Sequence, residues 1–245
     1  VERVNRWLSD LGLGDEALCC GPQTSRDTDL KLAMIRAHDA PCRVHNNCSG
    51  KHAGFLTLAR HLGAGPDYVD PAHPVQVACL DAFETVTGQD SPGFGIDGCS
   101  APNFATTMHG MARAMSWFAT ASHRSDSMST AAARLVEAMY AHPELVAGEG
   151  RACTRLMRAA KEPVALKTGA EGYFIAILPK RGLGVAVKAA DGATRAAECA
   201  IAALLVRLEV LDFTHPEVAA FLTPKIRNWD GLETGQIKPA AGLLA

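Results

Sequence analysis

The chain has 245 residues, 48% of them apolar and 20% charged, with a formal net charge of −2. That balance suits an ordinary globular protein and gives no electrostatic pull toward nucleic acid or an anionic membrane. No apolar run is long enough to cross a bilayer, and no signal-peptide pattern opens the chain.

Helical periodicity begins with the first residue. Val1, Val4, Trp7, Leu8 and Leu11 share one face of a helix closed by Gly12. A chain that starts in mid-helix is expected to have lost a segment upstream of Val1. "CCGPQTSRD" is a loop, and Asp27 or Thr28 caps a helix running to His38. A helix from Ser49 or Gly50 to Leu62 follows, then one from Pro74 to Thr87. "SPGFGIDGCSAPNF" is rich in Gly and Pro and reads as a loop or short strand with tight turns. Phe104 to Ala121 carries Phe104, Met108, Met111 and Met115 at helical spacing, a stripe that suits a core. Further helices are expected at Met128 to Tyr140 and Thr154 to Ala159.

"YFIAILP" and "GLGVAVKA" then read as a hairpin joined by "KRG". A long helix from Thr194 to Leu211, a short one from His215 to Leu222 and an irregular tail complete the chain. The sum is an α/β protein, a sheet flanked by helices with a helical lobe. Eight cysteines occur, at 19, 20, 42, 48, 79, 99, 153 and 199. A chain of this length needs no disulfide staples, so free thiols and a cytoplasmic location are expected.

Five stretches carry groups that do chemistry. "HNNCSGKHAGF" sets Cys48 and Lys51 three apart at a helix start, with His52 beside them. A thiolate suits zinc, whereas a lysine ligates only as the neutral amine. The same spacing fits a plain helix start whose small residues permit close packing. "GIDGCSAPNF" places Asp97 and Cys99 between glycines, as turn residues or as groups aimed at a ligand. Ser49 and Ser100 are candidates for nucleophiles or for helix caps.

"LKTGAEGYFIAIL" spells K-T-G at Lys167, Thr168 and Gly169 just ahead of a strand, with Glu171 placed to hold the lysine electrostatically. That triplet lines the active site of penicillin-recognising serine enzymes, and otherwise marks a solvated strand edge. Lys188, Asp191 and Arg195 surround a turn in which Asp191 or Thr194 caps the next helix. His142, Glu149 and Arg151 lie in a Gly-rich loop suited to a lid or a rim.

In order, "NNCSGKHAGFL", "GIDGCSAPNFA", "HPELVAGEGR", "KTGAEG" and "VKAADGATRA" resemble the asparaginase II family, the Rhizobium-type or class 3 L-asparaginases. The resemblance spans nearly the whole chain. It implies one asparaginase domain over residues 1–245, lacking its N-terminal segment, with a serine β-lactamase/glutaminase-like fold. It implies hydrolysis of L-asparagine to aspartate and ammonia by a homodimer. Cys48, Lys51 and Cys99 would bind zinc, Asp97 would hold the substrate's α-amino group, and His52 would be a nearby polar contact. Lys167 would be the base of a serine–lysine pair. The family's S-x-x-K nucleophile motif has no match in these residues and is expected upstream of Val1. Two other readings stand beside this one: another serine–lysine amidohydrolase, such as a glutaminase, or a non-catalytic zinc-binding remnant.

Overall fold

A computed structural model describes residues 1–244. Contacts divide the chain into two compact units, Val1–Thr85 with Gln89–Thr106, and Val86–Gly88 with Thr107–Ala245.

The first unit holds α1 (Glu2–Asp10), α2 (Thr28–Ala37), α3 (Ser49–Leu62), nearly all of α4 (Pro74–Thr87), and the strands β1 (Phe94–Ile96) and β2 (Pro102–Phe104). Leu8 of α1 and Ala53, Leu56 and Ala59 of α3 meet Leu18, Val44, Tyr68 and Val75 in its core. The Trp7 indole donates to Thr57 Oγ1 at 3.0 Å and ties α1 to α3. The Asp27 carboxylate caps α2 by accepting the Leu30 N–H at 3.0 Å, and His38 closes that helix at φ 55°. The expected loop at 91–104 contains the antiparallel pair β1–β2, in which Phe94 faces Phe104 and Ile96 faces Pro102.

The second unit runs through α5 (Met108–Ala119), α6 (Ser127–Ala141), α7 (Pro143–Ala147), α8 (Ala152–Ala159), β3 (Ala165–Thr168), β4 (Tyr173–Leu178) and β5 (Leu183–Lys188). It ends with α9 (Thr194–Arg207), α10 (Pro216–Leu222), β6 (Lys225–Arg227), β7 (Glu233–Gln236) and α11 (Ala241–Leu244). β3, β4 and β5 form one antiparallel sheet in that order. Period-two alternation sends Leu166, Phe174, Ala176 and Leu178 to one face, where they join Leu156 of α8 and Ile201 and Leu205 of α9. Ala165, Ile175 and Ile177 face the other way, against Met111, Met115 and Met139 of α5 and α6. Helices therefore flank both faces, and truncating the fully buried Phe174 to alanine would cost about 3–5 kcal/mol. At Gly184 the sheet and α5 touch closely: an added Cβ would lie 2.2 Å from Ser116 N.

Four expectations need correction. Phe104 belongs to β2, and α5 begins only after Thr107, whose hydroxyl accepts the Gly110 N–H at 2.9 Å. The expected two-stranded hairpin gains a third strand: Lys167 and Thr168, just ahead of β4 as expected, themselves lie within β3, paired to Ile175 and Phe174. α9 stops at Arg207, because Glu209 turns left-handed at φ 57° and the Val210 and Leu211 N–H groups fold back onto Leu205 O. The tail is a β6–β7 hairpin rather than irregular chain.

Candidate functional site

Cys48 stands at the N-terminus of α3, delivered there by a stitched polar loop. Asn46 Nδ2 donates to Cys20 O at 2.7 Å and to Gly21 O at 3.1 Å, while Asn46 Oδ1 accepts the Cys48 N–H at 2.8 Å. Arg43 Nη1 binds the carbonyls of Glu16 and Leu18, which fastens the same loop to the preceding segment. One helical turn on, Lys51 shares the exposed side of α3, and His52 turns inward.

Cys99 arrives from the β1–β2 loop, which Asp97 closes. The Asp97 N–H bonds Ala101 O at 2.9 Å, its carbonyl accepts the Ser100 N–H at 2.8 Å, and its Oδ1 accepts the Gly98 N–H at 2.8 Å. Ser100 takes φ 72°, so a non-glycine residue bears the left-handed position of this turn. Neither candidate serine is a cap: Ser49 is the buried first residue of α3, behind Cys48, and Ser100 is part of this loop.

The two arms converge. Lys51 Nζ lies 2.9 Å from Cys99 Sγ and 3.5 Å from Asp97 Oδ2, and Cys99 Sγ lies 3.2 Å from Asp97 Oδ2. Donor atoms of Cys48, Asp97 and Cys99 all fall within 4.8 Å of one another. Tetrahedral ligands bonded at about 2.0–2.3 Å would be separated by roughly 3.3–3.8 Å. Two thiols and a carboxylate so gathered could hold one thiophilic metal ion, with small adjustments of side chains.

Electrostatics bind the group together without metal. Burial pushes the Cys48 thiol up to about 11, with the neighbouring Cys99 adding to the shift against the pull of Lys51. Burial opposes charge on Lys51, but the hydrogen bond to Cys99 and the negative groups around it outweigh burial and raise its pKa. Burial likewise opposes the Asp97 charge, yet hydrogen bonds from the Cys99 thiol and the Gly98 N–H, with Lys51 nearby, hold the carboxyl below its usual range. A metal held here by the thiols of Cys48 and Cys99 would displace their protons.

His52 is completely buried. Its Nδ1 meets Tyr68 Oη at 2.9 Å, and that phenol accepts the Cys19 N–H at 2.6 Å. The phenol also lies 3.4 Å from Ala17 O, so its proton can go to that carbonyl or to Nδ1, and His52 Nε2 has no hydrogen-bond partner. Burial, with the Lys51 charge beside it, drives the His52 pKa down to about 4. Tyr68 was not legible as a site residue, because no local spacing marks it.

Lys167 belongs to the second unit. It is an exposed residue of β3 whose Nζ donates to Thr168 O. The Thr168 N–H donates to Cys153 Sγ at 3.1 Å, which links this strand to α8. Glu171 does not hold Lys167; its carbonyl instead accepts from Lys188 Nζ. Asp191 accepts the Ala193 N–H at 2.9 Å just before α9, and Thr194 starts the helix without capping it. The expected 142–151 loop includes the short helix α7, and its Glu149 makes two bonds of 2.7 and 2.8 Å to Arg158.

All eight cysteines are free thiols. No helix among the described residues is long and apolar enough to cross a membrane. A search of curated proteins finds no match to the chain. A family model described as L-asparaginase II matches residues 1–239. A match over that length, with the two cysteine motifs meeting in space, places the chain in the L-asparaginase II family.

Proposed function

We propose that the protein is an L-asparaginase that hydrolyses L-asparagine to L-aspartate and ammonia. The carrying observation is the convergence of Cys48, Lys51, Asp97 and Cys99 from two separate arms in a chain that matches the family over residues 1–239. Family membership suggests the amide hydrolysis. The cluster supports a site that handles a small, polar substrate.

Zinc is the metal this donor set suits, with Cys48, Lys51 and Cys99 as ligands. When bound, it supplies a Lewis-acidic centre that orients substrate. Asp97, held ionised, receives the α-ammonium of asparagine; its ion pair with Lys51 belongs to the metal-free protein. His52 lends its unpartnered Nε2 as a polar contact beneath the cluster. Lys167 is the general base: it takes the proton from the serine hydroxyl as that oxygen attacks the side-chain amide carbon. Ammonia leaves, and water releases aspartate from the acyl-enzyme. The fold of this reading is the serine β-lactamase/glutaminase type, in one asparaginase domain acting as a cytoplasmic homodimer.

The test is ammonia release from L-asparagine by the 245-residue chain and by any longer natural form of it, with L-glutamine and nitrocefin alongside. Turnover of asparagine well above the other two, abolished by Lys167→Ala, supports the reading. Silence of both chains toward asparagine overturns it. Activity of the 245-residue chain alone would place the nucleophile within it and revise the serine assignment.

A further inference from the structure

Among the described residues, two buried side-chain polar atoms lack a hydrogen-bond partner, His52 Nε2 and Tyr173 Oη. The first adjoins Lys51. The second lies on the strand that pairs with Lys167. Leaving a buried hydroxyl unpaired costs about 1–3 kcal/mol, so each such group calls for an explanation.

Tyr173 is bound closely to the turn that follows Lys167. Its carbonyl accepts the Gly169 N–H at 2.7 Å and lies 3.4 Å from Thr168 Oγ1. A Cβ on Gly169 would sit 2.8 Å from the Tyr173 ring, so the glycine of K-T-G is required by this tyrosine. The register pairs Lys167 with Ile175 and Thr168 with Phe174. Lys167 and Tyr173 therefore project from the same sheet face at diagonal positions, about 7–8 Å apart at the backbone. Side chains of that length meet easily across such a gap.

We propose that Tyr173 is a positioning residue of the Lys167 centre, whose hydroxyl hydrogen-bonds the Lys167 amine, directly or through one water, in the working enzyme. The observed lysine rotamer is the alternative state, in which Nζ rests on the Thr168 carbonyl. Rotation of the lysine away from that carbonyl satisfies the phenol and aims the amine away from its own backbone. Burial pushes the phenol up to about 12, so it stays protonated and available as a hydrogen-bonding partner for the amine. The inference rests on the reading of Lys167 as general base.

Tyr173→Phe removes the hydroxyl alone and tests it. The expected result is a thermal midpoint equal to or above that of wild type, because an unpaired buried group is gone. Against it, kcat for asparagine falls about tenfold with KM unchanged. A second readout needs no turnover: the rate at which acetic anhydride labels Lys167, followed by mass spectrometry across pH, shifts along the pH axis in Tyr173→Phe. Unchanged kcat together with an unchanged labelling profile overturns the proposal. Wild-type silence toward asparagine would instead sink the asparaginase reading, and the labelling profile would still decide whether Tyr173 touches Lys167. Gly169→Ala, expected to lose activity, should recover it in part when combined with Tyr173→Leu. Failure of that recovery counts against the steric half of the argument.

Discussion

The two units hold their reactive groups by different means. In the first, a helix start and a hairpin loop are brought together by polar bonds, from Asn46, Arg43 and the Asp97 turn, around a cysteine-rich core. In the second, Lys167 sits on the edge strand of a sheet clamped between apolar helix layers. Directional bonds place atoms to within tenths of an ångström but respond to protons and metal. Close packing answers to volume instead. The first unit should therefore be sensitive to pH and ions, and the second to side-chain size.

The largest expected effect is on the packed side. Gly184→Ala would put a Cβ 2.2 Å from Ser116 N and 2.4 Å from Ala112 O, backbone atoms that cannot step aside. Urea unfolding should register a loss of more than about 3 kcal/mol. Gly98→Ala, in open space in the first unit, should change stability by no more than about 0.5 kcal/mol. Equal losses in the two variants would erase the contrast.

Next comes the pH response of the first unit. His52 titrates near 6.5 when unfolded and near 4 in the fold. Between those values the unfolded chain binds more protons, so acid draws the equilibrium toward unfolding. This contribution is complete above pH 6.5, and lost as pH falls toward 4. In the metal-free protein it amounts to roughly 3 kcal/mol. His52→Asn should flatten the slope of stability against pH over that window; an unaltered slope would assign the acid sensitivity elsewhere.

Metal binding sharpens the same contrast. Equilibrium dialysis of Cys48→Ala should show zinc affinity lowered by about 100-fold, roughly 2.7 kcal/mol, while the second unit's Cys153→Ala leaves it unchanged. Equal zinc uptake by Cys48→Ala and wild type would remove the metal assignment. Smallest is a helix cap on the packed side. Asp126 accepts the Ser129 N–H at 2.8 Å, and Asp126→Ala should cost about 1 kcal/mol in thermal or urea unfolding, independent of zinc.

Much of this was readable where one signal dominates. The caps and breaks around 27–38 and 49–63, and the apolar alternation of "YFIAIL", mark their elements without help from the rest of the chain. Strand β3 escaped because four residues, one of them a lysine, are too few for periodicity, and their pairing partner lies downstream. β6 and β7 are exposed along their whole length, so no buried face announces them. The cysteine–lysine cluster was legible only through motif order, since spacing alone allowed an ordinary helix start. Tyr68 and Tyr173 were hidden for the opposite reason. Their importance lies in contacts that form only after the chain has folded.

The three tryptophans give the protein an unplanned optical layout. Trp7 reports from the first unit through its bond to Thr57, and Trp117 from the second, with the Arg124 guanidinium stacked 4.5 Å over its ring. Trp229, on the β6–β7 turn, is fully exposed and should emit as a solvated indole does, folded or unfolded. Replacing it with phenylalanine leaves one fluorophore in each unit. Emission maxima recorded for Trp7→Phe and Trp117→Phe in that background would then resolve whether the two units melt as one or in succession.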